Sequence, residues 1–266
     1  MSFSPTATHR ARAFLVAALL TLALSLAACA SSSPGTPAGG TSPGEAPRTV
    51  TVLAAASLTD VFELIAADFE ADHPGVTVEQ SFSASSTIVQ QVNEGAPADV
   101  VALAGQSSLE PLEQDRRATE PVVFTTNTLE LAVPADNPAG VGGLDDLTAD
   151  GIRLVVCQPE VPCGAATQTL FQQLGISPQV ASFEPDVRAT LSKVALGEAD
   201  VGVVYRTDVA AAGDRVVGVQ IPPADNVVSS YPILAVSDSP LAQQFIDEVM
   251  SGRGQQHLAG AGFVAP

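Results

Sequence analysis

Hydroxyl-bearing residues stand at two points where an apolar strand passes into a helix, and such corners can bind anions. Ser57 follows the strand pattern of residues 49–53 and opens an amphipathic helix, while Ser85 lies in a second corner, residues 83–87, between a strand over 76–82 and a short helix. The first N–H groups of a helix lack intrahelical partners and carry partial positive charge, so they attract anions. Taken alone, Ser57 is better explained as an N-cap, with Asp60 completing a capping pattern.

Motifs of catalysis are missing from the sequence. It contains no phosphate-binding Walker loop, no H-E-x-x-H and no G-x-G-x-x-G. Beyond the first 28 residues the histidines are His73 and His257, and neither stands beside an obvious nucleophile. Glu160 and Asp186 could pair as acid and base, but acids in loops and first helical turns are usually solvated. The sequence therefore predicts a protein that is not an enzyme.

The N-terminus has the pattern of an export signal. Arg10 and Arg12 precede an almost wholly apolar run over 14–27, and residues 26–29 read Leu-Ala-Ala-Cys, which matches a bacterial lipobox. We predict a lipoprotein signal peptide over 1–28, lipid on Cys29, and a flexible Ser/Pro/Gly-rich tether over 29–48. An ordinary signal peptide or an uncleaved membrane anchor is the alternative.

The charge of the chain limits its partners. The 266 residues carry a net charge of −18, and removal of the signal would take away two arginines and no acid. Such a surface excludes nucleic acid, which needs a basic footprint. It would also repel an anion at long range, so any anion site must depend on short-range hydrogen bonds.

Two cysteines remain once Cys29 is assigned to lipid. Cys157 and Cys163 form an even pair in an exported protein, which predicts a disulfide. A zinc site is the rival interpretation. It lacks ligands, because His73 and His257 are far away in sequence.

Strands alternate with helices along the chain, which indicates parallel α/β sheets with ligands at the carboxyl ends of the strands. A helix is expected over 106–115, although Pro111 interrupts it. Strands over 128–134 and 231–236 bracket a self-contained α/β block. We therefore predict two lobes, 49–130 with 232–266 and 131–231, joined by a two-strand hinge with a cleft between them.

Five segments, in order over residues 50–266, resemble the molybdate-binding proteins of bacterial ABC importers. They are AAASLTDVF at 54–62, SFSASSTIVQQVNEGAPADV at 81–100, PEVPCGAAT at 159–167, EPDVRATL at 184–191 and DVGVVYRTDV at 200–209. The resemblance implies a type II periplasmic-binding-protein fold, with two α/β lobes joined by a two-strand hinge. A tetrahedral oxyanion would be held in the cleft by uncharged groups.

The resemblance also implies which residues hold the anion. The hydroxyls of Ser57, Ser85 and Tyr205 and the backbone N–H groups of Cys163 and Val187 occupy the matching positions. Ser86 is the alternative to Ser85, and Cys163 stands where the family usually has alanine. Arg188 follows Val187, but helical geometry is expected to direct it away from the ligand.

Molybdate is a dianion without a proton at neutral pH, so a site made of donors satisfies it, whereas phosphate would also need an acceptor. The resemblance thus implies a monomeric, exported solute-binding lipoprotein on the outer face of the cytoplasmic membrane. It would capture molybdate or tungstate without a cofactor and present it to a permease with a cytoplasmic ATPase, touching the membrane only through lipid. Binding of sulfate or another tetrahedral oxyanion, an anion-sensing adaptor and an enzyme on the same fold are the alternatives.

Overall fold

A computed structural model describes residues 48–266. The predicted signal peptide, the lipidated Cys29 and all but the last residue of the tether lie outside the described residues. Within the described part, no helix is long and apolar enough to cross a membrane. Its strands are β1 Arg48–Ala55, β2 Val76–Ser83, β3 Val100–Ala102, β4 Val122–Pro134, β5 Leu154–Cys157, β6 Val180–Glu184, β7 Val201–Tyr205, β8 Val216–Gln220 and β9 Val228–Ala235. Its α-helices are α1 Thr59–Asp72, α2 Ser85–Asn93, α3 Pro162–Leu174, α4 Val187–Ala195, α5 Arg206–Ala212, α6 Pro240–Met250 and α7 Gly252–Gly260.

The strands follow the order β2-β1-β3-β9-β4-β7-β5-β6, with β8 paired to β4. Strands β1, β2 and β3 are parallel to one another, and so are β5, β6 and β7. Strand β4 changes partners along its length. Residues 122–128 pair with β9, and residues 129–134 pair with β7 and β8, all antiparallel. The expected parallel sheets are therefore two parallel sets, linked through antiparallel strands that run between them.

The apolar cores follow the same division of the sheet. One face of the β1–β3 set buries an aromatic cluster in which the ring of Phe62 contacts Phe124 and Phe245, with centroids 5.9 and 6.1 Å apart. The other face of that set packs around residues such as Ile88. A third core, which includes Leu131, surrounds β5, β7 and α4. The exact lobe bounds given above stay a prediction.

Three local features differ from the sequence-based expectation. Residues 106–115 form no α-helix but two 3-10 turns, Gln106–Leu109 and Gln114–Arg116, because Pro111 supplies no N–H for a continuous helix. Strand β6 was not predicted. The sequence pattern predicts the next helix from residue 165, but α3 begins at Pro162, since proline is well suited to the first helical position. The last difference places Cys163 inside the first turn of a helix.

Candidate functional site

A small cavity lies where the carboxyl ends of both parallel strand sets meet, and all five sequence-predicted ligand residues line it. Its volume is about 20 Å³. Pockets for organic ligands are typically about 300–1,000 Å³, so this site suits a small inorganic ion. Its lining residues are Ala55, Ala56, Ser57, Ser83, Ala84, Ser85, Ala104, Val161, Pro162, Cys163, Asp186, Val187 and Tyr205.

Each of the five residues stands at the beginning of a helix. Ser85 is the first residue of α2, Cys163 the second of α3 and Val187 the first of α4, while Tyr205 directly precedes α5. Ser57 lies in the 3-10 turn Ala56–Leu58 that leads into α1. The N-terminal N–H groups of several helices therefore converge on one small volume, where their partial positive charges add.

Ser57 is not the N-cap of α1, contrary to the simpler expectation. The 3-10 turn moves the cap position to Leu58, and no side chain caps α1. The Ser57 hydroxyl is instead hydrogen-bonded to the hydroxyl of Tyr231, at 2.9 Å. The side chain is thus held by the tertiary structure, not by its own helix.

Ser85 and Ser86 face different parts of the molecule. The Ser85 hydroxyl oxygen accepts the N–H of Ala104 at 2.9 Å. Because a backbone N–H can only donate, the hydroxyl hydrogen of Ser85 stays available for a group in the cavity. Ser86 does not line this cavity but a larger open groove, together with Glu94 and Glu113.

The loop before α3 is fastened by the predicted disulfide. Cys157 and Cys163 are bonded, with their Cα atoms 5.7 Å apart. Glycine at position 164 lets the first turn of α3 lie against the backbone of Gln158. A Cβ atom at this position would lie 1.9 Å from the carbonyl oxygen of Gln158. The bond therefore joins the end of β5 to the helical turn that carries the Cys163 N–H.

Helix α4 is capped through the N–H of Ala189, so the cap does not use the N–H of Val187, which remains available to a ligand. Asp186 is the N-cap, and its carboxylate accepts the N–H of Ala189 at 2.9 Å. This carboxylate is the one ionisable side chain among the cavity-lining residues apart from the Tyr205 phenol. No lysine or arginine lines the cavity.

Arg188 does not line the cavity, but it makes contacts that the sequence did not reveal. Its Nε donates to the carbonyl oxygen of Ala56 at 3.3 Å, and a terminal nitrogen donates to Asp60 at the start of α1. These contacts tie α4, from one parallel strand set, to the Ser57 turn of the other.

Tyr205 presents a free hydroxyl. Its side chain is 1 % exposed, and the oxygen has no hydrogen-bond partner among residues 48–266. Burial raises the pKa of the Tyr205 phenol above its ordinary value, and the nearby hydroxyls of Ser229 and Tyr231 offset only part of that shift. The group is consequently a protonated donor at neutral pH.

The carboxylate of Asp208 is hydrogen-bonded to the backbone of Tyr205. One carboxylate oxygen accepts the Tyr205 N–H at 3.0 Å, while the other has no hydrogen bond in the described structure and lies 3.9 Å from Nε of Arg188. Burial raises the pKa of this carboxyl to about 7; Arg188 and the Tyr205 N–H oppose the shift, and Asp60 and Asp186 add to it.

Two buried residues beneath the cavity, Tyr231 and Asn127, were not predicted from the sequence. A signal for Tyr231 does exist in the composition. The chain has two tyrosines and no tryptophan, and both tyrosines lie here with ring centroids 6.1 Å apart. Within residues 48–266 no three His, Cys, Asp or Glu side chains are grouped so as to hold a metal ion.

Comparison with known proteins gives a consistent result. Residues 50–264 match the family model described as bacterial extracellular solute-binding protein. The molybdate-binding protein ModA of Mycobacterium tuberculosis is 38 % identical over 257 residues, covering 95 % of this chain and 97 % of that protein. ModA of Escherichia coli is 35 % identical over 201 residues, covering 70 % and 77 %. The structure of the periplasmic molybdate-binding protein of Azotobacter vinelandii superposes with a TM-score of 0.70 at 20 % identity, covering 82 % and 99 %.

Asp208→Asn should change how stability depends on pH. The folded carboxyl has a pKa of about 7 against 3.8 for the unfolded one, so the folded state binds more protons between these values. The wild type should therefore lose stability relative to the variant as pH rises from 4 to 7, by at most roughly 1.4 kcal/mol per pH unit. Urea unfolding at several pH values measures this difference. A difference that is constant with pH would contradict the assignment, and Asp214→Asn at an exposed site is the control.

Loss of the Cys157–Cys163 bond should lower the free energy of unfolding by about 2 kcal/mol in the chain-entropy model. It should also weaken ligand binding, because the Cys163 turn would then have to be ordered on binding. Urea unfolding and calorimetry with and without reductant measure both effects. The doubly substituted Cys157→Ser, Cys163→Ser chain is the control, since reductant should leave it unchanged. Identical stability of the oxidised and reduced wild type would show that the bond contributes nothing.

Proposed function

The chain belongs to the bacterial extracellular solute-binding proteins, among the molybdate-binding proteins of ABC transporters, and we propose that it holds its anion with five donors at helix N-termini. It is a binding protein and not an enzyme, and molybdate is its transported ligand, not a cofactor. The five donors are the hydroxyls of Ser57, Ser85 and Tyr205 and the N–H groups of Cys163 and Val187.

One observation carries this proposal: donors converge from both strand sets on a cavity without any cationic side chain. A fully deprotonated tetrahedral dianion offers acceptors alone, so such a site satisfies it. The lack of a lysine or arginine in the lining also fits the acidic chain, because binding then depends on short-range hydrogen bonds and helix dipoles. Tungstate has the same charge and nearly the same size, and we expect it to bind as well.

Closure of two lobes around the anion is the second part of the proposal. The lobes would comprise residues 49–130 with 232–266 and residues 131–231, with β4 and β9 as the hinge. Arg188 supports this arrangement, because its contacts with Ala56 and Asp60 join the two sides of the cavity. The form with the lobes closed around the anion would be presented to the permease and its ATPase.

The protein would act as a monomer, exported and held at the outer face of the cytoplasmic membrane by lipid on Cys29. The Ser/Pro/Gly-rich tether over 29–48 would let the folded part move freely above the membrane.

Titration calorimetry with molybdate, tungstate, sulfate and phosphate on the full chain in detergent tests the ligand. Molybdate and tungstate should bind tightly, phosphate should not, and sulfate should bind more weakly because it is smaller. Since the chain has two tyrosines and no tryptophan, tyrosine fluorescence provides an independent readout at the site. Tight sulfate binding without molybdate heat would assign the protein to the sulfate-binding alternative.

Ser57→Ala and Tyr205→Phe should each weaken molybdate binding about 10- to 150-fold, because each removes a hydrogen bond to a charged group worth about 1.5–3 kcal/mol. Ser86→Ala is the matched control, since Ser86 lies outside the cavity. Unchanged affinity in both site variants, or an equal loss in the control, would argue against the donor set.

Cys29→Ala should release the protein from the membrane fraction of bacteria that express it, because the lipid acceptor is gone. Fractionation followed by immunoblotting measures this. A substituted protein that still sediments with membranes would favour an uncleaved anchor over lipidation.

A further inference from the structure

A buried polar chain lies directly beneath the proposed anion site. The Ser57 hydroxyl is 2.9 Å from the Tyr231 hydroxyl, and the side-chain nitrogen of Asn127 donates to Tyr231 at 3.4 Å and to the hydroxyl of Thr207 at 2.8 Å. All four side chains are buried. Of the four, Ser57 alone lines the cavity.

The orientation of the Asn127 amide is fixed by the backbone. Its oxygen accepts the N–H of Thr128 at 3.0 Å, and a backbone N–H can only donate. The amide nitrogen must therefore face Thr207 and Tyr231, where it too can only donate.

This fixed amide gives the chain of hydroxyls a direction. In the Ser57–Tyr231 contact either oxygen could be the donor by geometry alone. The Tyr231 oxygen already accepts from Asn127, which favours Tyr231 as the donor to Ser57. With Tyr231 as the donor, the Ser57 oxygen accepts a hydrogen bond and its own hydrogen is turned toward the cavity.

We propose that Asn127 and Tyr231 set Ser57 as a hydrogen-bond donor and so act as specificity-determining residues against anions that carry a proton. This inference rests on the proposed anion-binding function. It goes further by assigning a role to two residues that do not touch the ligand.

The chemical consequence concerns anions such as hydrogen arsenate and hydrogen phosphate. Each must donate its own O–H to an acceptor in the site. With Tyr231 as the donor, the Ser57 oxygen is engaged by the Tyr231 hydroxyl, and the Ser85 oxygen is engaged by the Ala104 N–H. The Asp186 carboxylate also lines the cavity, and one of its oxygens accepts the N–H of Ala189 as the N-cap of α4. Without the Tyr231 hydroxyl, the Ser57 side chain is free to rotate and accept that proton.

Tyr231→Phe tests this, because it removes the hydroxyl and keeps the ring that packs against Phe124 and Phe263. The dissociation constants of molybdate and hydrogen arsenate are measured by calorimetry at pH 8 on the full chain in detergent. Where direct heat is too small, competition against molybdate replaces it. We expect the preference for molybdate over arsenate to fall at least about tenfold, the scale of one hydrogen bond.

Tyr205→Phe is the matched comparison, since it removes the other tyrosine hydroxyl of the chain. It should weaken both anions by a similar factor and leave the preference unchanged, because Tyr205 would donate to either anion.

Equal losses for both anions in Tyr231→Phe, or arsenate binding that stays undetectable, would overturn the inference and leave Tyr231 with a packing role. If this variant does not fold, as judged by circular dichroism, Asn127→Leu decides in its place, with a smaller shift expected in the same direction. A wild type that binds no molybdate would instead refute the proposed function, which separates the two failures.

Discussion

A small dianion has to be held without a cation, and this requirement governs the architecture around the cavity. The donors must come from N–H groups and hydroxyls, and helix N-termini supply both with a favourable dipole. Where a strand ends at the cavity and the next helix begins there, the N-terminus of that helix lies at the edge of the sheet. The repetition of this unit in both parallel strand sets explains why Ser85, Cys163, Val187 and Tyr205, so distant in sequence, meet.

Neighbouring groups make hydrogen bonds to the residues that supply the donors, or cap the helices that carry them. The Ala104 N–H donates to the oxygen of Ser85, Asp186 caps α4 without using the Val187 N–H, and the hydroxyl of Tyr231 is hydrogen-bonded to that of Ser57. These bonds leave the Ser85 hydroxyl hydrogen and the Val187 N–H for a group in the cavity, and under our proposal the Tyr231 hydroxyl does the same for Ser57. In that proposal, selectivity for an anion without a proton comes from residues that do not touch the anion.

The same region carries the contacts that join the two halves of the sheet. Arg188 reaches across to Ala56 and Asp60, and Asn127 on β4 contacts Thr207 on α5. Asp208 is buried in the same region, and one of its carboxylate oxygens has no hydrogen bond in the described structure. Residues next to the cavity therefore also join the two halves of the sheet.

The sequence by itself determined the succession of most strands and helices, because hydrophobic periodicity and residues such as Pro and Gly act locally. It also determined the family and, by resemblance, five residues that meet at one cavity. Local pattern could not show that a 3-10 turn displaces Ser57 from the N-cap, or that residues 106–115 break into two turns. Only the tertiary structure decided that Ser57 is bonded to Tyr231 and that Arg188 contacts Ala56. Those pairs are separated by 174 and 132 residues, and their contact depends on how the two halves of the sheet pack.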